Sequence, residues 1–217
     1  FLLLAVTLSA AYTWKLAVDD PSRAMPWMLG GAIGGFIVAM VISFKPKLAP
    51  SLAVPYALLE GLFLGAISAL VAQSVPADSA VGGGIVFQAV VLTFTTALSM
   101  LALYAFRIIR VTERLRSIVM AATGAVMLFY LVSFALSLFG VPMTMLHGSG
   151  PLSIGISLFV VGLAAFNLLL DFDFIERGAR QGAPKAMEWF GAFALMVTLV
   201  WLYLEILRLL AKLRGRD

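Results

Sequence analysis

Seven long apolar stretches separated by short polar links constrain this chain more than any other feature. They cover residues 1–18, 24–44, 51–75, 85–106, 115–139, 152–174 and 186–210. A helix needs about 20 mostly apolar residues to cross the hydrocarbon core of a bilayer. The pattern therefore predicts an all-α membrane protein, a bundle of seven transmembrane helices whose main partner is the lipid bilayer.

The overall composition agrees with a membrane location. The mean hydropathy is +1.05 and only 12% of the residues are charged, whereas a soluble domain has about a quarter. No linker is long enough to separate two domains, so we expect residues 1–217 to form a single helical membrane domain. The chain opens on the apolar Phe1, and we expect a cytoplasmic N-terminal tail to be missing before it.

The basic residues of the links predict the orientation. Cytoplasmic links carry an excess of lysine and arginine. One set of alternating links, near residues 45–47, 107–116 and 177–185, contains nine basic residues. The other set contains two, Lys15 and Arg23. This predicts a cytoplasmic N-terminus in the plasma membrane, although the C-terminal tail is also basic. The net charge of +4 then marks topology, and we expect no nucleic-acid partner.

Acidic residues at the end of the sixth stretch are the first candidates for function, because charges at membrane depth are costly and tend to be functional. Asp173 and Glu176 each precede an arginine by four residues, the favourable order for an ordinary helical ion pair. Asp171 has no basic residue three or four positions away and shares a helix face with Asn167. Asp171 is therefore the better functional candidate.

Two further acids lie within apolar stretches. Glu60 lies about 15 Å into the third stretch, and Tyr56, one turn earlier, is placed to form a hydrogen bond with it. Glu205 in the seventh stretch has Arg208 three residues later, which gives a possible pair within the helix. Carboxylates that approach one another can share a proton, and their oxygens are ligands that suit calcium.

Three segments give the chain a resemblance to a known family. They are Tyr56–Gly65 (YALLEGLFLG), Leu170–Ile175 (LDFDFI) and Leu202–Leu210 (LYLEILRLL). With them the whole chain resembles the Bax inhibitor-1 (transmembrane Bax inhibitor motif) family, and is most similar to its actinobacterial members. The resemblance implies seven transmembrane helices and a pH-sensitive calcium leak, and in eukaryotes an association with suppression of cell death.

The family's pH sensor is a pair of aspartates on the last two helices. By motif these positions fall on Asp171 and Glu205, with glutamate in place of the second aspartate. The resemblance implies that both serve in pH sensing and gating and as calcium ligands. The supporting intramembrane polar residues are Glu60, Asn167, Asp173, Tyr56 and Arg208.

The partner of Asp171 stays open between two residues. Glu205 lies 19 residues past Ala186, or about 28 Å along a continuous helix, whereas Asp171 is near the cytoplasmic end of its stretch. The two acids meet only if the seventh stretch begins with an interfacial piece over residues 186–193. Otherwise Glu60 is the nearer partner.

We expect a calcium leak channel gated by protonation of these carboxylates, with calcium and protons as its ions and no tightly bound cofactor. The alternatives are a proton-coupled transporter and a non-transporting membrane interaction protein, whose protein partners the sequence does not identify. We expect no enzymatic activity, since no phosphate-binding loop, dinucleotide fingerprint or zinc spacing is present. The single histidine, His147, is expected to be a solvated loop residue.

Overall fold

The computed structural model describes residues 1–74, 84–139 and 150–215. Its α-helices are α1 (Leu2–Asp19), α2 (Pro21–Phe44), α3 (Ala49–Ser74), α4 (Ile85–Ala105), α5 (Glu113–Leu138), α6 (Pro151–Arg180) and α7 (Lys185–Arg214). Over these three ranges there is no β-strand. All seven helices are long and apolar enough to cross a membrane. The predicted all-α fold with seven spanning helices is therefore confirmed. His147, which is predicted to be a solvated loop residue, lies outside the described residues.

The third helix begins earlier than the sequence predicts. A short 3-10 turn, Pro46–Leu48, leads directly into α3 at Ala49. Pro55 is consequently inside the helix. A proline inside a helix removes one backbone hydrogen bond, which membrane helices tolerate where neighbouring groups compensate.

The sixth helix ends later than predicted, at Arg180 and not near Phe174. The backbone N–H of Ala183 donates to the carbonyl of Gly178 at 3.0 Å, and Gly182 adopts φ +62°. A left-handed glycine just after the last turn is a common way to end a helix. The link between α6 and α7 is thus only a tight turn, and α7 is one uninterrupted helix of 30 residues.

The described chain forms two compact units, and α6 and α7 contribute to both. The first unit contains α1, α2, α3 and residues 174–197. The second contains α4, α5, the part of α6 before residue 174 and the part of α7 after residue 197. Whether residues 1–217 act as a single domain stays a prediction.

In the first unit, glycines bring helix backbones close together. A Cβ atom added at Gly61 would lie 2.3 Å from the carbonyl oxygen of Val6, and one at Gly65 would lie 2.1 Å from that of Ala10. Gly31 on α2 approaches the carbonyl oxygen of Leu59 in the same way, at 2.6 Å. Small residues drive this kind of packing in membranes, where lipid removes the hydrophobic driving force between helices.

In the second unit, polar side chains connect the helices. Asn167 Nδ2 on α6 donates to Thr123 Oγ1 on α5 at 2.8 Å. Arg214 Nη2 at the end of α7 donates to Gln88 Oε1 on α4 at 2.7 Å. Such bonds satisfy polar groups that would otherwise face hydrocarbon. They also fix the positions of α6 and α7, which contain Asp171 and Glu205.

Candidate functional site

Asp171 lies on α6 and contacts α7 through one hydroxyl group. The Thr198 side chain donates a hydrogen bond to the Asp171 carboxylate. The second carboxylate oxygen, Oδ2, is buried and has no hydrogen-bond partner among the described residues. Buried polar atoms without partners are rare in folded proteins and call for an explanation. Asp171 is therefore a half-buried residue in which one carboxylate oxygen is buried and has no hydrogen-bond donor beside it within the described part of the chain.

Glu205 on α7 has a much fuller set of partners. Its side chain is 2% exposed, and the Tyr130 hydroxyl of α5 donates to Oε1 at 3.0 Å. Arg208 Nη1 lies 2.9 Å from Oε1 and 3.1 Å from Oε2, and it also donates to the Tyr130 hydroxyl at 2.9 Å. The guanidinium carbon is 5.3 Å from the centre of the Tyr130 ring. The Glu205 charge is thus neutralised by a cation and further satisfied by a hydroxyl.

The predicted sensor residues are not brought together. No hydrogen bond joins Asp171 to Glu205 in the part of the chain that the structure describes. Asp171 meets α7 at Thr198, and the seven residues from there to Glu205 correspond to about 10 Å of helix. α7 is one continuous helix from Lys185, and an interfacial position of its first turns stays a prediction. The roles of both residues in pH sensing stay predictions.

Asp173 has a partner that the sequence did not suggest. Arg116 Nη2 on α5 lies 2.6 Å from its Oδ2, with side-chain exposures of 29% for Arg116 and 13% for Asp173. Arg116 also lies 3.4 Å from Glu113, one turn earlier on its own helix. The predicted pairing of Glu176 with Arg180 is confirmed. Asp173 therefore ties α5 to α6 in addition to any role within its own helix.

The remaining predicted polar residues occupy both units. Besides its bond to Thr123, Asn167 donates to the Leu163 carbonyl at 2.9 Å. In the first unit, Tyr56 forms the predicted hydrogen bond with Glu60, and its ring centre lies 4.9 Å from that of Phe193 in an edge-on arrangement. The geometry predicted for Tyr56 and Glu60 from their one-turn spacing is confirmed.

Lys212 near the end of α7 is a buried cation whose partners on α6 do not follow from spacing along one helix. Its side chain contacts α6, where Nζ donates to Ser157 Oγ at 2.8 Å and lies 3.4 Å from the Ser153 carbonyl oxygen. Lys212 shares a face of α7 with Arg208, and Ser153 shares a face of α6 with Ser157, since residues four apart lie on the same side of a helix. The basic end of α7 thus serves internal contacts, whatever its side of the membrane.

The resemblance implies calcium ligands at Asp171 and Glu205 only. No group of three or more His, Cys, Asp or Glu side chains is close enough to hold an ion within residues 1–74, 84–139 and 150–215. Asp171 and Glu205 have separate partners, so calcium ligation by both carboxylates together stays a prediction.

The fold and these contacts define a multi-pass helical membrane protein with acidic side chains in its spanning helices. The sequence pattern of the family described as Bax inhibitor 1 like matches residues 1–215, and the chain belongs to that family. No curated protein and no solved structure matches the chain. The expected family is confirmed, and the expected bacterial origin stays a prediction.

Proposed function

We propose that this protein is a pH-sensitive calcium leak channel of the plasma membrane, and that Asp171 carries the proton that controls it. The observation on which this depends is the buried, partnerless Oδ2 atom of Asp171 on a spanning helix. A carboxylate in such surroundings either takes up a proton or finds a cation. Both events change how α6 is held against α7.

The contrast with Glu205 supports Asp171 as the responsive group. Arg208 and the Tyr130 hydroxyl already match the Glu205 carboxylate with a cation and a hydrogen-bond donor. Asp171 has a hydroxyl partner and no ion pair among the described residues. Under this proposal Glu205 anchors α5 to α7 through Tyr130 and Arg208, while Asp171 is the group that alternates between two states.

The two states of Asp171 differ in what they attract. When ionised, the carboxylate offers hard oxygen ligands to a passing calcium ion and competes for hydrogen-bond donors, which favours an open path. When protonated, it becomes a hydrogen-bond donor and loses its attraction for cations, which favours the closed arrangement of α6 and α7. Calcium is the permeant ion, and no resident cofactor takes part.

Calcium influx into liposomes containing the purified protein tests the proposal, measured at about pH 6 and about pH 8. Wild-type flux is expected to be higher at the higher pH. The Asp171→Asn variant should lose the pH dependence, because asparagine does not titrate in this range. Glu176→Gln is the matched control, because Glu176 is an acid on the same helix that already forms an ion pair with Arg180. An unchanged pH profile in Asp171→Asn would overturn the assignment.

Glu205→Gln distinguishes a sensor formed by Asp171 alone from a sensor formed by Asp171 and Glu205 together. Under the present proposal this variant keeps its pH dependence, and loss of the dependence in both variants would restore the pair. A membrane potential applied without a pH gradient should drive calcium through a leak, whereas a proton-coupled transporter would show no such flux. Absence of flux above empty liposomes at both pH values would favour a non-transporting protein that acts through partners.

A further inference from the structure

The short link between α4 and α5 presents an unusual combination of exposed side chains. Arg107 and Arg110 in the link and Arg114 in the first turn of α5 are all exposed, and we count Arg114 with the link below. Phe106 and Ile108 lie between and beside them and are 78% and 69% exposed. The link joins two spanning helices, so these side chains are at the level where a helix leaves the membrane.

The backbone of this link is held tightly against the last turn of α4. The N–H groups of Ile108 and Ile109 both donate to the carbonyl of Leu103, at 3.0 and 3.2 Å. Arg107 adopts φ +56°, the left-handed conformation that side chains other than glycine rarely take. The arginine is thus fixed in a strained but defined position and not carried on a loose loop.

The three arginine side chains have no hydrogen bond or ion pair within the described chain. Arg116, only two residues after Arg114, is by contrast held by Asp173 and Glu113. The positive charge of the link therefore stays available to a partner outside this chain.

We propose that this link is a binding surface for the phosphate headgroups of anionic membrane lipids. Planar guanidinium groups match phosphate oxygens in geometry as well as charge. Basic clusters next to a spanning helix attract acidic lipids in proportion to their number. A soluble phosphate would satisfy the arginines but not the two exposed apolar side chains, whereas a lipid offers acyl chains to Phe106 and Ile108. The inference does not depend on the proposed channel activity.

Native mass spectrometry of the detergent-solubilised protein tests this surface, with phosphatidylglycerol and phosphatidylcholine as the added lipids. The wild type should retain phosphatidylglycerol preferentially. The triple variant R107Q/R110Q/R114Q should lose that preference, with an affinity decrease of roughly fivefold per arginine at low salt and less at high salt. Lys45→Gln with Lys47→Gln is the control, because it removes two exposed basic residues from the first unit.

Three results with the lipids and these variants would overturn the proposal, and two further measurements follow. The three results are equal retention of the two lipids by the wild type, unchanged retention in the triple variant, and an equal decrease in the lysine control. Displacement of bound phosphatidylglycerol by excess inorganic phosphate would show a site for free phosphate and overturn the lipid assignment. Arg107→Gly guards against misfolding, because it relieves the left-handed strain while removing one charge. It should raise the thermal midpoint and still weaken phosphatidylglycerol binding, and unweakened binding would also count against the proposal.

Discussion

Helices pack by different interactions inside each of the two units of this protein. The first is packed through glycines, at Gly31, Gly61 and Gly65, where helix backbones nearly touch. The second has glycines on its helices with open space around them, such as Gly124 and Gly162, and its helices are linked by charged and hydroxyl side chains. Steric packing does not respond to pH or salt, whereas hydrogen-bonded charges do. Asp171 and the Glu205–Arg208 pair, which can respond in this way, belong to the second unit, while the first unit contains Glu60 with its hydrogen bond to Tyr56.

The largest expected effect comes from adding one methyl group to the first unit. Gly65→Ala would place a Cβ 2.1 Å from the Ala10 carbonyl oxygen and 2.2 Å from Thr13 Oγ1. Since a backbone atom cannot move aside cheaply, we expect the free energy of unfolding to fall by about 3 kcal/mol. Denaturant unfolding in mixed micelles measures it.

The matched control for this substitution lies in the second unit. Gly162→Ala on α6 meets no atom within 4 Å, and alanine is the better helix former by about 0.5–1 kcal/mol. It should therefore leave the protein equally or more stable. If both variants lost the same stability, the difference in packing between the two units would not hold.

An intermediate effect is expected from breaking the Glu205 network of the second unit. Arg208→Gln leaves a buried carboxylate without its cation, a large penalty that the 44% exposure of Arg208 reduces. We expect a loss of about 1–3 kcal/mol in the free energy of unfolding. Arg180→Gln is the control, because its partner Glu176 is itself 42% exposed, and it should cost less than about 1 kcal/mol.

A double-mutant cycle sharpens this prediction. Glu205→Gln combined with Arg208→Gln removes both charges, so the double variant should be no less stable than Arg208→Gln alone. Strictly additive losses would mean that the two side chains do not interact. The ion pair would then not contribute to the stability of the second unit.

The smallest effect is expected at Asp20, between α1 and α2 and outside both spans. The Ser22 hydroxyl and backbone N–H donate to its Oδ1 at 2.6 and 3.0 Å, and these bonds lower the pKa of Asp20 below its usual 3.8. Because the folded-state pKa is lowered, the stabilisation is complete above the usual pKa and is lost as the pH falls through the lowered one.

Asp20→Asn isolates this contribution, because asparagine also caps helices but does not titrate. The thermal midpoints of the wild type and the variant should run parallel above about pH 5 and converge only as acid protonates Asp20. A gap that stays constant down to about pH 2 would show that the cap acts without its charge.

Local sequence patterns determined the number of spanning helices and most of their extent. Apolar length alone fixes a spanning helix, because no other open structure satisfies its backbone in lipid. Contacts between residues one turn apart were also predictable, as for Tyr56 with Glu60, Glu205 with Arg208, and Glu176 with Arg180. Helix geometry by itself brings such pairs within reach.

Only the tertiary structure decided which helices share polar groups. Tyr130 bonds Glu205 across 75 positions, Arg116 meets Asp173 across 57, and Thr198 contacts Asp171. None of these partners follows from spacing along one helix, because each depends on how neighbouring helices are rotated and shifted. The continuity of α7 likewise sets Glu205 about two turns beyond the contact of Asp171. The sequence determined which acids lie in the membrane, and helix packing determined that Glu205 has a cation while Asp171 has a hydroxyl.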